Sequence, residues 1–343
     1  MFQLHEKINR GGIYIIAEMS ANHAGKLERA MAIVEAAKEA GADCLKIQTY
    51  TADTITIDCD APCFQIHGGL WDGYNLHDLY MEAFTPWEWQ PRIKEYCEKL
   101  GLDFLSTPFD STAVDFLSGM NCEAYKVASF ELVDIPLIEY AARLGKTMII
   151  SCGMGTKEEI QDALKACHRV GNDDVVLLKC CSEYPTNPEN LNLATLTDMQ
   201  AFGVPLGLSD HSMGYIADVM AVAQGACVIE KHFCLSRQEK SQDSAFSMEP
   251  AEFKAMVDAV QKAALMRGKV QYGPTEAEAE EYKCRRSLFA VQDIPAGTIL
   301  TNENVRSIRP YDGLPPKYLP QVLGKTAKVD IAFGTPLSWE LVE

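Results

Sequence analysis

Eight short apolar runs, mostly of β-forming residues, recur along the first two thirds of this chain with amphipathic stretches between them. They open with Ile13-Tyr14-Ile15-Ile16-Ala17-Glu18 and Cys44-Leu45-Lys46-Ile47-Gln48. Asp103 to Thr107, Ala124 to Ala128, Thr147 to Ser151, Val175 to Lys179, Pro205 to Ser209 and Ala226 to Glu230 follow. Runs this short and this apolar read as parallel strands covered on both faces. Between them, Leu27 to Ala40 and Trp87 to Leu100 carry helical periodicity and stop at Gly41 and Gly101. Ser111 to Leu117, Pro136 to Leu144, Thr156 to Val170 and Gly214 to Gln224 read the same way, and Thr156 with Glu159 has the spacing of a capping box. Eight such repeats over about 235 residues predict an α/β fold, a (β/α)8 TIM barrel. A doubly wound open sheet is the alternative.

Two regions depart from the repeat. Residues 51–80 are too long for an ordinary connection, carry Gly68-Gly69-Leu70-Trp71-Asp72-Gly73, and read as a lid or substrate loop. After a last amphipathic helix over Phe253 to Met266, the acidic stretch Gly273 to Glu281 reads as a linker, in part helical through its Ala and Glu residues. From Ser287 the texture turns to short β-runs, Ser287 to Val291 and Val305 to Pro310, with Pro/Gly turns. The expected organisation is a barrel over 1–270, a linker over 271–286 and a small β-rich domain over 287–343. A domain that small is marginal alone and gains from docking on something else.

The balance of 48 acidic against 31 basic residues gives a net charge of -17, which disfavours nonspecific binding to nucleic acid or an anionic membrane. It leaves room for a small anionic substrate at a locally basic site. The 12 cysteines include no CxxC pair, so zinc-ribbon and thioredoxin-like motifs have no support. Met1 to Gly12 is polar, without the apolar core of a signal peptide, and no run approaches the about 18 apolar residues that span a bilayer. A cytoplasmic protein with reduced thiols is expected.

In a barrel the active site lies at the carboxyl ends of the strands. Here those ends carry Glu18, Lys46 with Gln48, Thr107, Lys126, Ser151, Ser182, Asp210 with His211, and Glu230-Lys231-His232. Taken singly, each marks where a strand reaches water; together they predict a polar site at one mouth. Lys46 and Lys126 sit inside apolar runs, and a buried lysine is costly unless paired with an anion. Two of them suit a phosphate or carboxylate; a Schiff-base lysine and a snorkelling side chain are the competing readings. His211 and His232 end consecutive runs, so two imidazoles can reach one divalent metal with its other positions open, or else serve structural hydrogen bonds. His23 follows the first strand closely enough to line the mouth.

The segments Ala17-Glu18-Met19-Ser20-Ala21-Asn22-His23-Ala24-Gly25, Lys46-Ile47-Gln48-Thr49 and Ser106-Thr107-Pro108-Phe109 resemble the sialic acid synthase family. So do Tyr125 to Ser129 with Glu131, Gly207 to Ser212, and Ile229 to Phe233, and the matches run in order over almost the whole chain. The last segment resembles that family's SAF, or antifreeze-like, domain. The Gly68 to Asp72 loop and Asp243-Ser244-Ala245-Phe246-Ser247 look most like the pseudaminate branch.

The resemblance implies condensation of phosphoenolpyruvate with an open-chain amino sugar aldehyde and release of phosphate. For the pseudaminate branch the sugar is 2,4-diacetamido-2,4,6-trideoxy-L-altrose. It further implies a divalent metal, manganese or magnesium, on His211 and His232, and a domain-swapped homodimer in which Arg309 reaches the partner's site. Lys46, Lys126, Ser129 and Ser151 are then expected to hold phosphoenolpyruvate, with Gln48, Thr107, Ser182, Tyr184 and Ser209 completing the substrate-binding set. Glu131 is expected to handle the proton of the attacking water, Glu18 to orient substrate or water, and Asp243 to meet sugar hydroxyls or the metal's water. Several sialate synthases carry asparagine where this chain has Ser182, and the shorter hydroxyl fits a different sugar substituent. N-acetylneuraminate or legionaminate synthesis is the alternative within the family. A Schiff-base aldolase using Lys126 and a carbohydrate-binding protein are the alternatives outside it.

Overall fold

The computed structural model describes residues 2–343. Eight parallel strands lie within two residues of the runs that predict them: β1 (Tyr14–Glu18), β2 (Cys44–Thr49), β3 (Asp103–Pro108), β4 (Ala124–Val127), β5 (Thr147–Ser151), β6 (Val175–Cys180), β7 (Leu206–Asp210) and β8 (Val228–His232). Their neighbour order is β3-β2-β1-β8-β7-β6-β5-β4. The first strand pairs with the last, Glu18 opposite His232, and β3 packs on β4. The sheet is therefore a closed TIM-like barrel, and the doubly wound open sheet is excluded.

Helices follow the strands at Leu27–Glu39, Gln90–Leu100, Ser111–Gly119, Ile135–Ala142, Lys157–Arg169, Thr195–Met199, Ile216–Ala223 and Pro250–Arg267. Local chemistry starts several of them. Asp110 accepts from the Thr112 and Ala113 amides, and Asp134 from Leu137. Thr156 and Glu159 close the expected capping box, at 3.2 and 2.7 Å. The Thr195–Met199 helix has no counterpart in the sequence reading, because the Pro- and Asn-rich stretch before it hides its one turn.

The apolar residues divide by strand parity. Ile15, Ala17, Leu45, Ile47 and their counterparts pack outward under the helices. Tyr14, Ile16, Cys44, Leu105, Ala124, Ile149, Val176, Leu178 and Val228 fill the barrel interior, joined by Leu4. Leu4 belongs to a helix, Leu4–Asn9, in a stretch the sequence reading takes only as polar. Lys7 bonds Asp43 at 2.5 Å, His5 meets Asp174 at 2.8 Å, and the Gln3 amide donates to Asp103 at 2.7 Å. All three acids stand at or just before the start of a strand, so this helix plugs the amino end of the barrel and leaves the carboxyl end open.

The chain divides into two compact units, one ending at Gly268 and the other Lys269–Glu343. The second holds a short helix at Ala279–Tyr282 and an antiparallel pair, β9 (Ser287–Ala290) and β10 (Val305–Ile308). Leu288, Ile294, Leu300, Val305, Val322 and Leu337 make its own small core. Among the described residues no helix is long and apolar enough to cross a membrane.

Candidate active site

Following the interior parity of each strand toward its carboxyl end, the lining changes from apolar to polar in a single layer. Ile16 is succeeded by Glu18, Cys44 by Lys46, Leu105 by Thr107, Ala124 by Lys126, Ile149 by Ser151, Leu178 by Cys180, Gly207 by Ser209, and Val228 by Glu230 and His232. The two lysines share one partner. Lys46 Nζ lies 2.6 Å from Glu18 and 3.5 Å from Glu230 Oε1, and 3.5 Å from the Thr107 hydroxyl. Lys126 Nζ donates to Ser151 at 2.7 Å and to the Val127 carbonyl at 3.0 Å, and lies 3.8 Å from Glu230 Oε1. Ser209 donates to that same oxygen at 3.0 Å.

Burial and charge set these groups apart. Burial pushes the Glu18 carboxyl up to about 7 against the pull of Lys46. Burial works the same way on Glu230, but Lys126 and Lys46 outweigh it and hold that carboxyl below its ordinary range. Burial opposes the charge on Lys46, which Glu18 and Glu230 nevertheless hold above the usual value. Lys126 has the weaker carboxylate contact, and burial lowers it. The layer thus sets two ammonium groups against one firm carboxylate, the charge pattern of an anion site with room for more negative charge.

Beside Lys126 the loops after β4, β5 and β6 form a cradle. The Gly153 amide donates to Ser129 Oγ at 3.0 Å. A methyl group on Gly153 would lie 2.6 Å from the hydroxyls of both Ser129 and Ser182, so only glycine fits. Ser182 Oγ is buried without a hydrogen-bond partner, a group that awaits a ligand. Burial would raise the nearby Cys180 thiol, but His211, Ser129 and Lys126 bring it down to about 7.

His211 and His232 face each other with ring centroids 5.3 Å apart. His211 Nδ1 lies 2.9 Å from the Cys181 carbonyl, which places its proton on Nδ1 and leaves the Nε2 lone pair free. Burial, the largest cause, holds His232 well below its usual range, in the neutral form, and its buried Nδ1 has no hydrogen-bond partner. Neutral imidazole with an uncommitted nitrogen fits a metal ligand. Among the described residues no three His, Cys, Asp or Glu side chains gather as a metal site. A cation here would take two protein nitrogens and fill its other positions from water and substrate, as an open catalytic site requires.

Tyr184 stacks 4.3 Å from His211. Asp243 Oδ2 accepts from the Ala21 amide at 3.2 Å, tying the β8 loop to the β1 loop; burial raises its carboxyl, with Ser20 and Ala21 opposing. Glu131 stands on the turn Ser129–Glu131 after β4, with Oε2 buried and unpartnered. Gln48 sits one interior step beyond Lys46, opposite Thr107 in register. Arg309 stands in the second unit just after β10, exposed. His23 is buried, its Nε2 3.2 Å from Thr85 Oγ1 and its Nδ1 accepting from Gly25 at 3.1 Å; burial lowers it to about 4. It supports the β1 loop through those bonds.

Two of the polar strand ends do not join the mouth. Asp210 and Lys231 have the outward parity and pair with each other, and Lys231 also donates to the Ser212 and Gly214 carbonyls at 2.7 and 2.9 Å. They clamp the loop that carries His211. Glu230 is named among the polar strand ends in the sequence reading but given no role there. Its signal is the parity it shares with Val228 and His232, obscured by Lys231 between them.

A closed barrel with one polar layer at the carboxyl ends of its strands is an enzyme architecture, and this layer is fitted to a small polyanion. The chain matches the NeuB family over residues 33–272 and the SAF domain over residues 285–343. A pseudaminic acid synthase of Campylobacter jejuni is 46% identical over 326 residues, 95% of either chain. A pseudaminic acid synthase of Helicobacter pylori is 43% identical over 332 residues, 96% of this chain and 97% of that one. Among solved structures, a putative spore coat polysaccharide biosynthesis protein E from Chromobacterium violaceum matches with a TM-score of 0.75 at 27% identity, over 96% of this chain and 99% of that one. The chain belongs to the NeuB family.

Proposed function

We propose that this chain condenses phosphoenolpyruvate with 2,4-diacetamido-2,4,6-trideoxy-L-altrose to give pseudaminic acid and phosphate, with manganese or magnesium as cofactor. The observation that carries the reading is the pair of buried lysines, 4% and 2% exposed, turned on one carboxylate beside the Ser129–Gly153–Ser182 cradle. The relatives at 43–46% identity, both named as synthases of this product, narrow the sugar.

Lys46, Lys126, Ser129, Ser151 and Ser182 hold the phosphate and carboxylate of phosphoenolpyruvate. Its C3 bonds to the aldehyde carbon, C2 gains oxocarbenium character, and water adds at C2. Glu131 accepts the first proton from that water, Glu18 orients the substrate end nearest His232, and Asp243 meets the sugar hydroxyls. The bond from C2 to the bridging phosphate oxygen then breaks. The water's two protons end on the new hydroxyl and on phosphate. His211 and His232 would hold a divalent ion, which would supply Lewis-acid polarisation to the aldehyde.

The test is phosphate release from phosphoenolpyruvate with manganese present. Release with the diacetamido trideoxy-altrose and not with N-acetylmannosamine is expected. Release with N-acetylmannosamine alone keeps the family and overturns the sugar, and release with the legionaminate precursor alone does the same.

The working form in this reading is a domain-swapped homodimer, with Arg309 completing the partner's site. Support comes from large apolar side chains exposed after β4, β5 and β7: Phe130, Val133, Met154, Met213 and Tyr215 on the loops, and Ile216 at the start of the next helix. Exposed apolar surface around a mouth marks an interaction site. Arg309→Ala and Lys126→Met are each expected to be inactive alone. Mixed after subunit exchange, they should regain up to about a quarter of the wild-type rate, since a mixed dimer holds one intact site. No recovery in mixtures shown to have exchanged would refute action in trans.

A further inference from the structure

The connection between β2 and β3 carries a small hairpin whose tip reaches Tyr184, the ring beside His211. Gln65 bridges Asn75, the Ile66 amide donates to the Tyr74 carbonyl at 2.8 Å and the Gly73 amide to the Ile66 carbonyl at 3.0 Å. Asp72 Oδ1 caps the turn by accepting from the Gly68 amide at 2.6 Å. Gly68, Gly69 and Gly73 have φ of 82°, 73° and 86°, conformations that glycine alone adopts without strain.

Trp71 stands in this turn. Its indole Nε1 donates to the Gln242 carbonyl at 3.2 Å, linking the hairpin to the β8 loop. Its ring lies 5.6 Å from Tyr184, which lies 4.3 Å from His211. Phe246 packs 5.2 Å from Tyr184 and 4.8 Å from His232. Three loops from different parts of the chain thus build one apolar wall that starts at the histidines and runs outward to Trp71. The indole is only half-buried and packs against no part of the barrel core, so core stability does not account for it.

We propose that Trp71 selects the sugar, its ring taking the terminal methyl of a 6-deoxy amino sugar aldehyde. The inference rests on the synthase reading above, which puts the aldehyde end at the histidines. Five carbon–carbon bonds of about 1.5 Å carry an extended chain about 6 Å from that end, past Tyr184 and toward the ring of Trp71. The indole N–H, the one polar group of that ring, is already committed to Gln242. A terminal hydroxyl against this face would lose water and find no donor or acceptor from Trp71. Discrimination by an apolar surface against an added hydroxyl is limited, at most about 100-fold.

The experiment compares kcat/KM for the diacetamido trideoxy sugar and for the same sugar bearing a 6-hydroxyl, in wild type, Trp71→Ala and Trp71→Phe. Wild type is expected to favour the 6-deoxy sugar by about 10- to 100-fold. Trp71→Ala should bring the ratio within about 3-fold while the KM for phosphoenolpyruvate stays put, and Trp71→Phe should restore most of the preference. An unchanged ratio in Trp71→Ala overturns the assignment. So does a phosphoenolpyruvate KM that rises in parallel, because the hairpin would then be merely structural. Wild type that turns over neither sugar overturns the synthase reading itself, and this inference with it.

Discussion

Lys126→Met is expected to leave a folded barrel that no longer binds phosphoenolpyruvate. The wild-type ammonium donates to Ser151 and to the Val127 carbonyl and faces Glu230 at 3.8 Å. Truncating one partner of a buried hydrogen-bonded charge pair costs about 2–5 kcal/mol, so the KM should rise at least about 30-fold, and turnover at ordinary concentrations should fall accordingly. Stability should move much less. Methionine matches the length of the lysine stem, and Glu230 keeps Lys46 at 3.5 Å and the Ser209 hydroxyl at 3.0 Å, so its carboxylate is not left unpaired, the case in which removing one partner of a buried pair is strongly destabilising. Thermal unfolding and phosphoenolpyruvate titration of the same sample read the two effects separately. Unchanged turnover would remove Lys126 from the site. Borohydride with phosphoenolpyruvate and sugar present should trap nothing on the wild-type enzyme; a reduced adduct on Lys126 would move the chemistry to the Schiff-base class.

The parts of this molecule that were legible in the sequence are those that local periodicity encodes. A buried parallel strand shows as a short apolar run whatever its partners are, so all eight appeared with their polar ends. The capping box of Thr156 and Glu159 is likewise local. What escaped depends on loop paths and on strand register. Glu230, Lys231 and His232 are three successive polar residues, and only the ladder with β1 shows which two enter the mouth. Ser129, Gly153 and Ser182 come from three loops, and nothing in their sequence spacing announces a cradle that a single methyl would fill. The helix Leu4–Asn9 is too short and too polar for a periodicity argument; its role follows from the acids it meets at the strand starts.

Glu131→Gln is expected to lower kcat by about 100- to 1000-fold, within the range a lost general base accounts for, and to flatten the pH profile below neutrality. Burial raises this carboxyl from 4.5 to about 7, with Lys126 pulling the other way. As a base it must be ionised, so wild-type kcat should climb about tenfold per pH unit up to about 7 and then level. The amide keeps the shape and cannot accept the proton, which removes that limb while the phosphoenolpyruvate KM stays close to wild type. Glu18 is pushed to a similar value, so a limb that survives in Glu131→Gln and disappears in Glu18→Gln would transfer the role. Stability supplies an independent sign. A carboxyl whose folded pKa exceeds its unfolded one binds its proton more tightly when folded. Its contribution is fully favourable below about 4.5 and is lost as pH rises to about 7, a loss of at most about 3 kcal/mol. Glu131→Gln should therefore be more stable than wild type at pH 8 and little different at pH 4. A residue that slows the reaction when replaced and stabilises the fold at the pH where the enzyme works is one retained for its chemistry.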